Sequence, residues 1–252
     1  VNKKRIAQSF DKASNTYEKD APVQKWTASF LAEVIKELGL CKPKDCLEIG
    51  CGTGFLTQQM VALFADSNWL VSDLSAAMLE SCRKRIGQFA TYQVMDGEQP
   101  DLDKQFDLIV SSLAFQWFQD LEGALNRLSK LLKPGGHLVF STLGQDTFQQ
   151  WRDNLHHLGM MVGLHDYPTL EEMQKIHIQG CHVSFERQKR LQPYKSGLDF
   201  LRALRAIGAQ APQPGYEPLR PGQMRQVIKA LEKTGSCAMT YDILVAKIVK
   251  ER

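Results

Sequence analysis

One stretch constrains the fold of this chain more than any other: Cys46 to Gly54, C-L-E-I-G-C-G-T-G. An apolar run ends in three glycines at alternate positions, Gly50, Gly52 and Gly54, and a helical stripe of Leu56, Met60, Leu63 and Phe64 follows at once. That order predicts a buried strand turning tightly into a helix. Glycines at such a turn let the main chain take positive φ and let a ligand lie against bare backbone.

The residues around the turn narrow the ligand. A dinucleotide loop spaces its glycines G-x-G-x-x-G and faces a pyrophosphate with a helix N-terminus. Here Phe55 occupies the third glycine position and Glu48 sits in the strand end, which disfavours a nicotinamide dehydrogenase. An acid there repels phosphate but suits a ligand carrying an amino group and a sulfonium, such as S-adenosylmethionine. The next strand, W-L-V-S-D, ends in Asp73, nineteen residues beyond Gly54, where a carboxylate can accept both ribose hydroxyls. A third strand, Thr91 to Met95, ends in Asp96, placed to accept from an adenine amino group. This ordered set resembles the class I S-adenosylmethionine-dependent methyltransferases. The resemblance implies a donor site built from Glu48, Gly50, Cys51, Gly52, Gly54, Asp73, Leu74, Met78, Asp96, Gly97 and Ser112.

With 252 residues, 43% apolar and 23% charged, the chain has the composition of a soluble globular protein and length enough for a substantial core. No apolar run approaches the ~18 residues of a membrane span. The basic start K-K-R is followed by no apolar signal core, so the expected location is the cytoplasm. Six cysteines without a C-x-x-C pair indicate neither a zinc site nor a disulfide frame, and no metal is expected. The net charge is +3, yet from Glu186 to Lys229 nine Lys or Arg face three Asp or Glu, a local +6. Such an imbalance suggests an acidic partner near the C-terminal third.

Ile6, Phe10, Ala13 and Tyr17 form one helical stripe, a candidate lid, and a second helix runs from Val23 to Leu38. From Cys46 strands and helices alternate: strand to Gly50, helix 55–65, strand 68–73, helix 76–87, strand 90–95, strand 106–113, helix 121–132 stopped by P-G-G, strand 137–142. Phe148, Trp151, Leu155 and Leu158 predict a helix, and Thr169 with Glu172 a capping box opening another. A sixth strand is expected over 183–191, helices over 198–207 and 224–231, and a seventh strand over 239–249. The fold class is therefore α/β: a Rossmann-like, mostly parallel seven-stranded sheet with helices on both faces and a helical cap in the late connections. The expected organisation is a lid at 1–40, a donor-binding core at 41–145, cap insertions at 146–180 and 195–236, and final core strands at 181–194 and 237–252.

Five further stretches resemble one family within that class. They are F-D-K-A-S-N-T-Y-E-K-D-A-P-V-Q from Phe10, S-L-A-F-Q-W from Ser112, F-S-T-L-G from Phe140, F-L-R-A-L-R-A-I-G-A from Phe200 and M-T-Y-D-I-L-V from Met239. Together they are similar to the BioC family of biotin synthesis, the malonyl-[acyl-carrier protein] O-methyltransferases. The resemblance implies methylation of the free carboxylate of malonyl-thioester on acyl carrier protein. A carboxylate is already a nucleophile at neutral pH, so no general base is required. One cation must hold it, preferably an arginine. Arg205 is the expected holder and Arg202 its rival, with Tyr17, Gln116, Trp117 and Tyr241 as further residues on the acceptor side. Acyl carrier proteins are acidic, so Arg220, Arg225 and Lys229 are expected to contribute to docking.

Other acceptors fit parts of the chain. A small free carboxylic acid or a quinone-like carbon is compatible with the whole first half, and a coenzyme A thioester remains open beside the carrier-bound one. A nucleic-acid amine is disfavoured because Ser112, Leu113, Ala114 and Phe115 stand where N/D-P-P-Y/F is expected. A donor-binding regulator without catalysis is disfavoured by the matching cap stretches.

Overall fold

A computed structural model describes residues 3–13, 21–207, 215–233 and 237–252. The chain runs through α1 (Lys3–Ala13), α2 (Pro22–Glu37), β1 (Asp45–Ile49), α3 (Phe55–Leu63), β2 (Asn68–Asp73), α4 (Ala76–Ile86), β3 (Ala90–Val94) and β4 (Phe106–Ser112). It continues through α5 (Leu121–Lys130), β5 (Leu132–Leu143), α6 (Gln149–His157), α7 (Leu170–Gln174), β6 (Cys181–Tyr194), α8 (Gly197–Ala206), α9 (Pro221–Glu232) and β7 (Cys237–Lys250).

The seven strands form one sheet in the order β3-β2-β1-β4-β5-β7-β6. Every pair from β3 across to β5 is parallel, and β7 runs antiparallel to both β5 and β6. Successive residues of the central strands therefore feed opposite faces. Cys46, Leu108, Val110 and Val139 pack with α2, α3 and α4, while Leu47, Ile109, Leu138 and Phe140 pack with α5. Strand order reverses beside β1, and a crevice opens there beyond the carboxyl ends of β1 and β4, as it does in open parallel sheets.

Several expected boundaries shift for physical reasons. The helix expected to run to residue 132 ends at Lys130. Leu132 is already strand, paired with Phe106, and a register shift at Phe106/Leu108 absorbs the P-G-G. Gly136 is required there because a Cβ would stand 2.8 Å from the Lys133 carbonyl oxygen. β6 and β7 are longer than their alternation suggests, pairing from Cys181↔Lys250 to Tyr194↔Cys237. α9 starts at Pro221, three residues before the expected helix start at Met224, because proline suits the first turn of a helix. The Thr169–Glu172 capping box is present as expected.

Within the N-terminal forty residues the two helices are placed differently. α2 buries Val23, Leu31, Val34 and Ile35 in the main core, while Gln24 and Ala28 line the crevice beside α1. Tyr17 lies outside the described residues.

Candidate active site

The turn after β1 carries Gly50 at φ +68°, Gly52 at +55° and Gly54 at +89°, all in the left-handed region. At Gly50 a Cβ would lie 2.4 Å from that of Ala114, on the turn after β4. Gly54 serves another purpose, since a Cβ there would meet the Cys82 sulfur at 2.9 Å. It lets α3 start close against α4 and does not line the crevice.

The crevice is an open cleft beyond the carboxyl ends of β1, β2 and β4. Of the residues expected to hold the donor, all but Gly54 line it: Glu48, Gly50, Cys51, Gly52, Asp73, Leu74, Met78, Asp96, Gly97 and Ser112. Glu48 is buried, and burial drives its carboxyl well above the usual range, with Cys82 and Asp73 adding to the effect. Its Oε2 has no hydrogen-bond partner among the described residues. An unpartnered buried acid wants a cationic or proton-donating ligand.

Asp73 stands at the tip of β2. Its Oδ2 accepts from the Gly52 amide at 2.8 Å and its Oδ1 from the Ser75 amide at 2.8 Å, which orients the carboxylate and leaves lone pairs on both oxygens. Burial pushes it up to about 6 against those two hydrogen bonds. Asp96, after β3, accepts from Lys3 Nζ at 2.5 Å. A bare glycine arc, an orphaned acid and two acids at successive strand tips fit the adenosyl, ribose and amino-acid parts of S-adenosylmethionine.

α1 closes the mouth. Lys3, Ile6 and Phe10 line the crevice. Lys3 also reaches Glu98 Oε2 at 2.6 Å, and at the far end Asp11 Oδ1 accepts from Ser75 Oγ at 2.5 Å. None of these N-terminal contacts beyond the apolar stripe carries a signal in the sequence.

A second cavity abuts the first. Phe10, Gln24, Leu113 and Trp117 line both, while Gln116, Phe148, His165, Tyr167, Leu204, Ile207 and Tyr241 contribute to the second alone. At the junction Leu113 is held at φ +52°, a strained conformation for leucine. Its amide donates to the Ser141 carbonyl at 3.1 Å and its own carbonyl accepts from Gln116 Nε2 at 2.6 Å. Tyr241 shares a 2.7 Å hydrogen bond with the Tyr194 hydroxyl, and burial holds it well above the ordinary tyrosine range.

Gln116, Trp117 and Tyr241 thus come together at this cavity, but Arg205 does not. Phe200 and Leu204 form the buried stripe of α8, while Arg202 and Arg205 are exposed and line neither cavity. The described lining of the cavity thus does not include the arginine expected to hold the carboxylate. His165 and Tyr167, in the loop between α6 and α7, escape sequence reasoning because they belong to no periodic element.

The sheet order, the glycine turn and the two strand-tip acids define a class I methyltransferase fold. Residues 47–138 match the family described as Methyltransferase domain. The N-methyltransferase NodS from Bradyrhizobium japonicum, solved with S-adenosyl-L-homocysteine, shares the fold at a TM-score of 0.55 and 17% identity, covering 94% of this chain and 100% of that one. Among curated relatives, the biotin biosynthesis bifunctional protein BioCD of Bordetella avium is 39% identical over 98% of this chain. The chain spans 52% of that longer relative, about half its length. The malonyl-[acyl-carrier protein] O-methyltransferase of Magnetococcus marinus is 38% identical over 90% of this chain and 84% of its own length. The chain belongs to the malonyl-[acyl-carrier protein] O-methyltransferase family.

Proposed function

We propose that this chain methylates the free carboxylate of a malonyl group carried as a thioester on acyl carrier protein. S-adenosylmethionine is the donor, and the product is the malonyl methyl ester that starts pimeloyl and biotin synthesis in the cytoplasm. The observation that carries this reading is the junction at Phe10, Gln24, Leu113 and Trp117, where a donor-shaped crevice meets a second cavity in a chain of this family.

S-adenosylmethionine, when bound, supplies a methyl group on cationic sulfur, so a carboxylate lone pair forms the new C–O bond, the C–S pair returns to sulfur, and no proton is transferred. The chain therefore needs to bind and orient rather than to act as a base, and orientation is worth several kcal/mol of barrier (roughly 7–11 where alignment is ideal). Glu48 would hold the donor's amino group, Asp73 its ribose and Asp96 its adenine. Phe10 and Trp117, ring edge to ring face at 5.7 Å, wall the junction against water. Gln116, Trp117 and Tyr241 shape the acceptor cavity, and Tyr17 remains a candidate on the same side.

The carrier docks on the basic cap. Of the nine cations in the local charge excess, Arg187 and Lys189 are engaged with Asp146 and Asp242. Arg220, Arg225 and Lys229 are exposed on or at the start of α9. Their potential steers an acidic partner.

Rates of S-adenosylhomocysteine formation test both levels. Turnover is expected with malonyl-carrier protein, with little on acetyl-carrier protein or free malonate. Equal turnover on free malonate would replace this acceptor with a small acid. Charge reversal at Arg225 and Lys229 is expected to lower the rate at low salt only, and an unchanged rate would move docking elsewhere.

A further inference from the structure

Four residues line both cavities, and their chemistry is uneven. Phe10 and Leu113 bring no side-chain donor, and Trp117 brings a single N–H on a ring packed edge-on against both Phe10 and His165. Gln24 carries an amide, with two N–H donors and an acceptor oxygen. Its side chain is half-buried, and among the described residues no hydrogen bond engages it. The other amide of the second cavity, Gln116, is committed through Nε2 to the Leu113 carbonyl. Tyr241 does not line the donor crevice, and its hydroxyl is shared with Tyr194.

Gln24 also stands on a fixed platform. It lies in the first turn of α2, whose Val23, Ala28 and Leu31 are buried in the main core. Ser29 on the same helix accepts from Gln59 Nε2 of α3 at 3.3 Å. A donor on a helix packed in this way keeps its place more closely than one on a loop.

The charge balance of the reaction makes a neutral amide sufficient. No lysine or arginine lines the second cavity among the described residues. The counter-charge that a carboxylate needs at the junction is that of the methyl donor's sulfonium, which the reaction must bring alongside it in any case. A protein cation there would draw on the lone pair that has to form the new C–O bond. An amide N–H can instead hold one oxygen and leave the other to attack.

We propose that Gln24 holds the malonyl carboxylate at the junction, donating from Nε2 to the oxygen that is not methylated. This inference rests on the malonyl-carrier reading above. The C–O bond forms at the other oxygen, the C–S pair returns to sulfur, and no proton moves. The charge-assisted hydrogen bond to the anion then becomes a weaker one to a neutral ester carbonyl, which favours release of the product.

Binding of malonyl- and acetyl-carrier protein, measured with sinefungin in the donor site, tests the proposal. Sinefungin bears an amine where the sulfonium stands and has no methyl to give, and the acetyl group lacks the carboxylate. The native chain is expected to prefer malonyl-carrier. Gln24→Leu, which keeps bulk without donors, should lower that preference about tenfold, as the loss of one hydrogen bond to a charged group implies, with sinefungin affinity in the absence of carrier unchanged. Gln24→Glu, close to isosteric, should lower it further by setting a like charge beside the carboxylate, and serves as the test should the leucine variant fail to fold. A malonyl preference of native size in either folded variant overturns the role of Gln24. A loss confined to sinefungin affinity overturns it too, by placing Gln24 on the donor. A native chain that transfers no methyl group to malonyl-carrier overturns the functional reading beneath it.

Discussion

Gly50 combines a left-handed φ of +68° with a virtual Cβ 2.4 Å from that of Ala114, so the turns after β1 and β4 meet over a space that only glycine leaves open. Gly50→Ala should therefore weaken donor binding by about tenfold or more while the circular dichroism stays native, because left-handed backbone alone costs ~1–2 kcal/mol before the clash is counted. Unaltered affinity would show that the turn does not shape the site. Glu48 supports a second test. Burial holds its carboxyl well above the usual range in the free chain, and a ligand ammonium favours the ionised form, so binding should release a proton. Donor affinity should strengthen as pH rises toward the free-state value and then level, with Asp73, pushed up to about 6, acting in the same direction. Calorimetry in two buffers of different ionisation enthalpy measures that release; buffer-independent heats, or tighter binding at lower pH, would contradict it. These residues were legible in the sequence because strand, glycine and acid follow one another at local spacings. His165 was not, since only tertiary packing brings its aperiodic loop to the cavity. For Arg205 the resemblance and the helix phase differ: Phe200 and Leu204 set the inward phase of α8, and Arg205 follows Leu204 by about 100°.

At the scale of elements, the long β6–β7 pair flanks the cap helices and joins the core through the β5–β7 ladder, with one buried acid adding a charged tie. Asp242 on β7 is 1% exposed and receives Arg187 bidentately, at 2.8 Å from Nε and 2.9 Å from Nη2, while the Asp146 amide reaches it at 3.2 Å. Arg187→Ala would strand that charge, so urea denaturation should register a loss of about 3–5 kcal/mol, and a loss below about 1 would show that Asp242 is otherwise compensated. α1 makes a smaller, kinetic contribution. Lys3→Ala removes the contacts to Asp96 and Glu98, partly exposed pairs worth on the order of 1 kcal/mol, so donor release should quicken about fivefold in stopped flow. An unchanged release rate would mean that α1 does not gate the crevice. Element order from β1 to β5 could be read from alternating periodicity, as buried parallel strands and amphipathic helices differ in repeat. The ends of β5, β6, β7 and α9 could not, because pairing partners far along the chain set where those strands begin and proline marked a helix start rather than a loop.

For the molecule as a whole, the sheet supplies the donor crevice at the reversal of strand order, and the late connections place a second cavity against it. Residues 47–138 match the methyltransferase family in general, whereas the second cavity is lined in part by α8 and by the loop between α6 and α7. Arg220, Arg225 and Lys229 are exposed on or at the start of α9, the surface on which docking of an acidic carrier is proposed. The most direct measurement is the intact mass of malonyl-carrier protein after incubation with S-adenosylmethionine and this chain. The account predicts a gain of one methyl group, removed by mild base as an ester would be, and no gain on acetyl-carrier protein. An unchanged mass, or a methyl group found equally on the acetyl form, would contradict it.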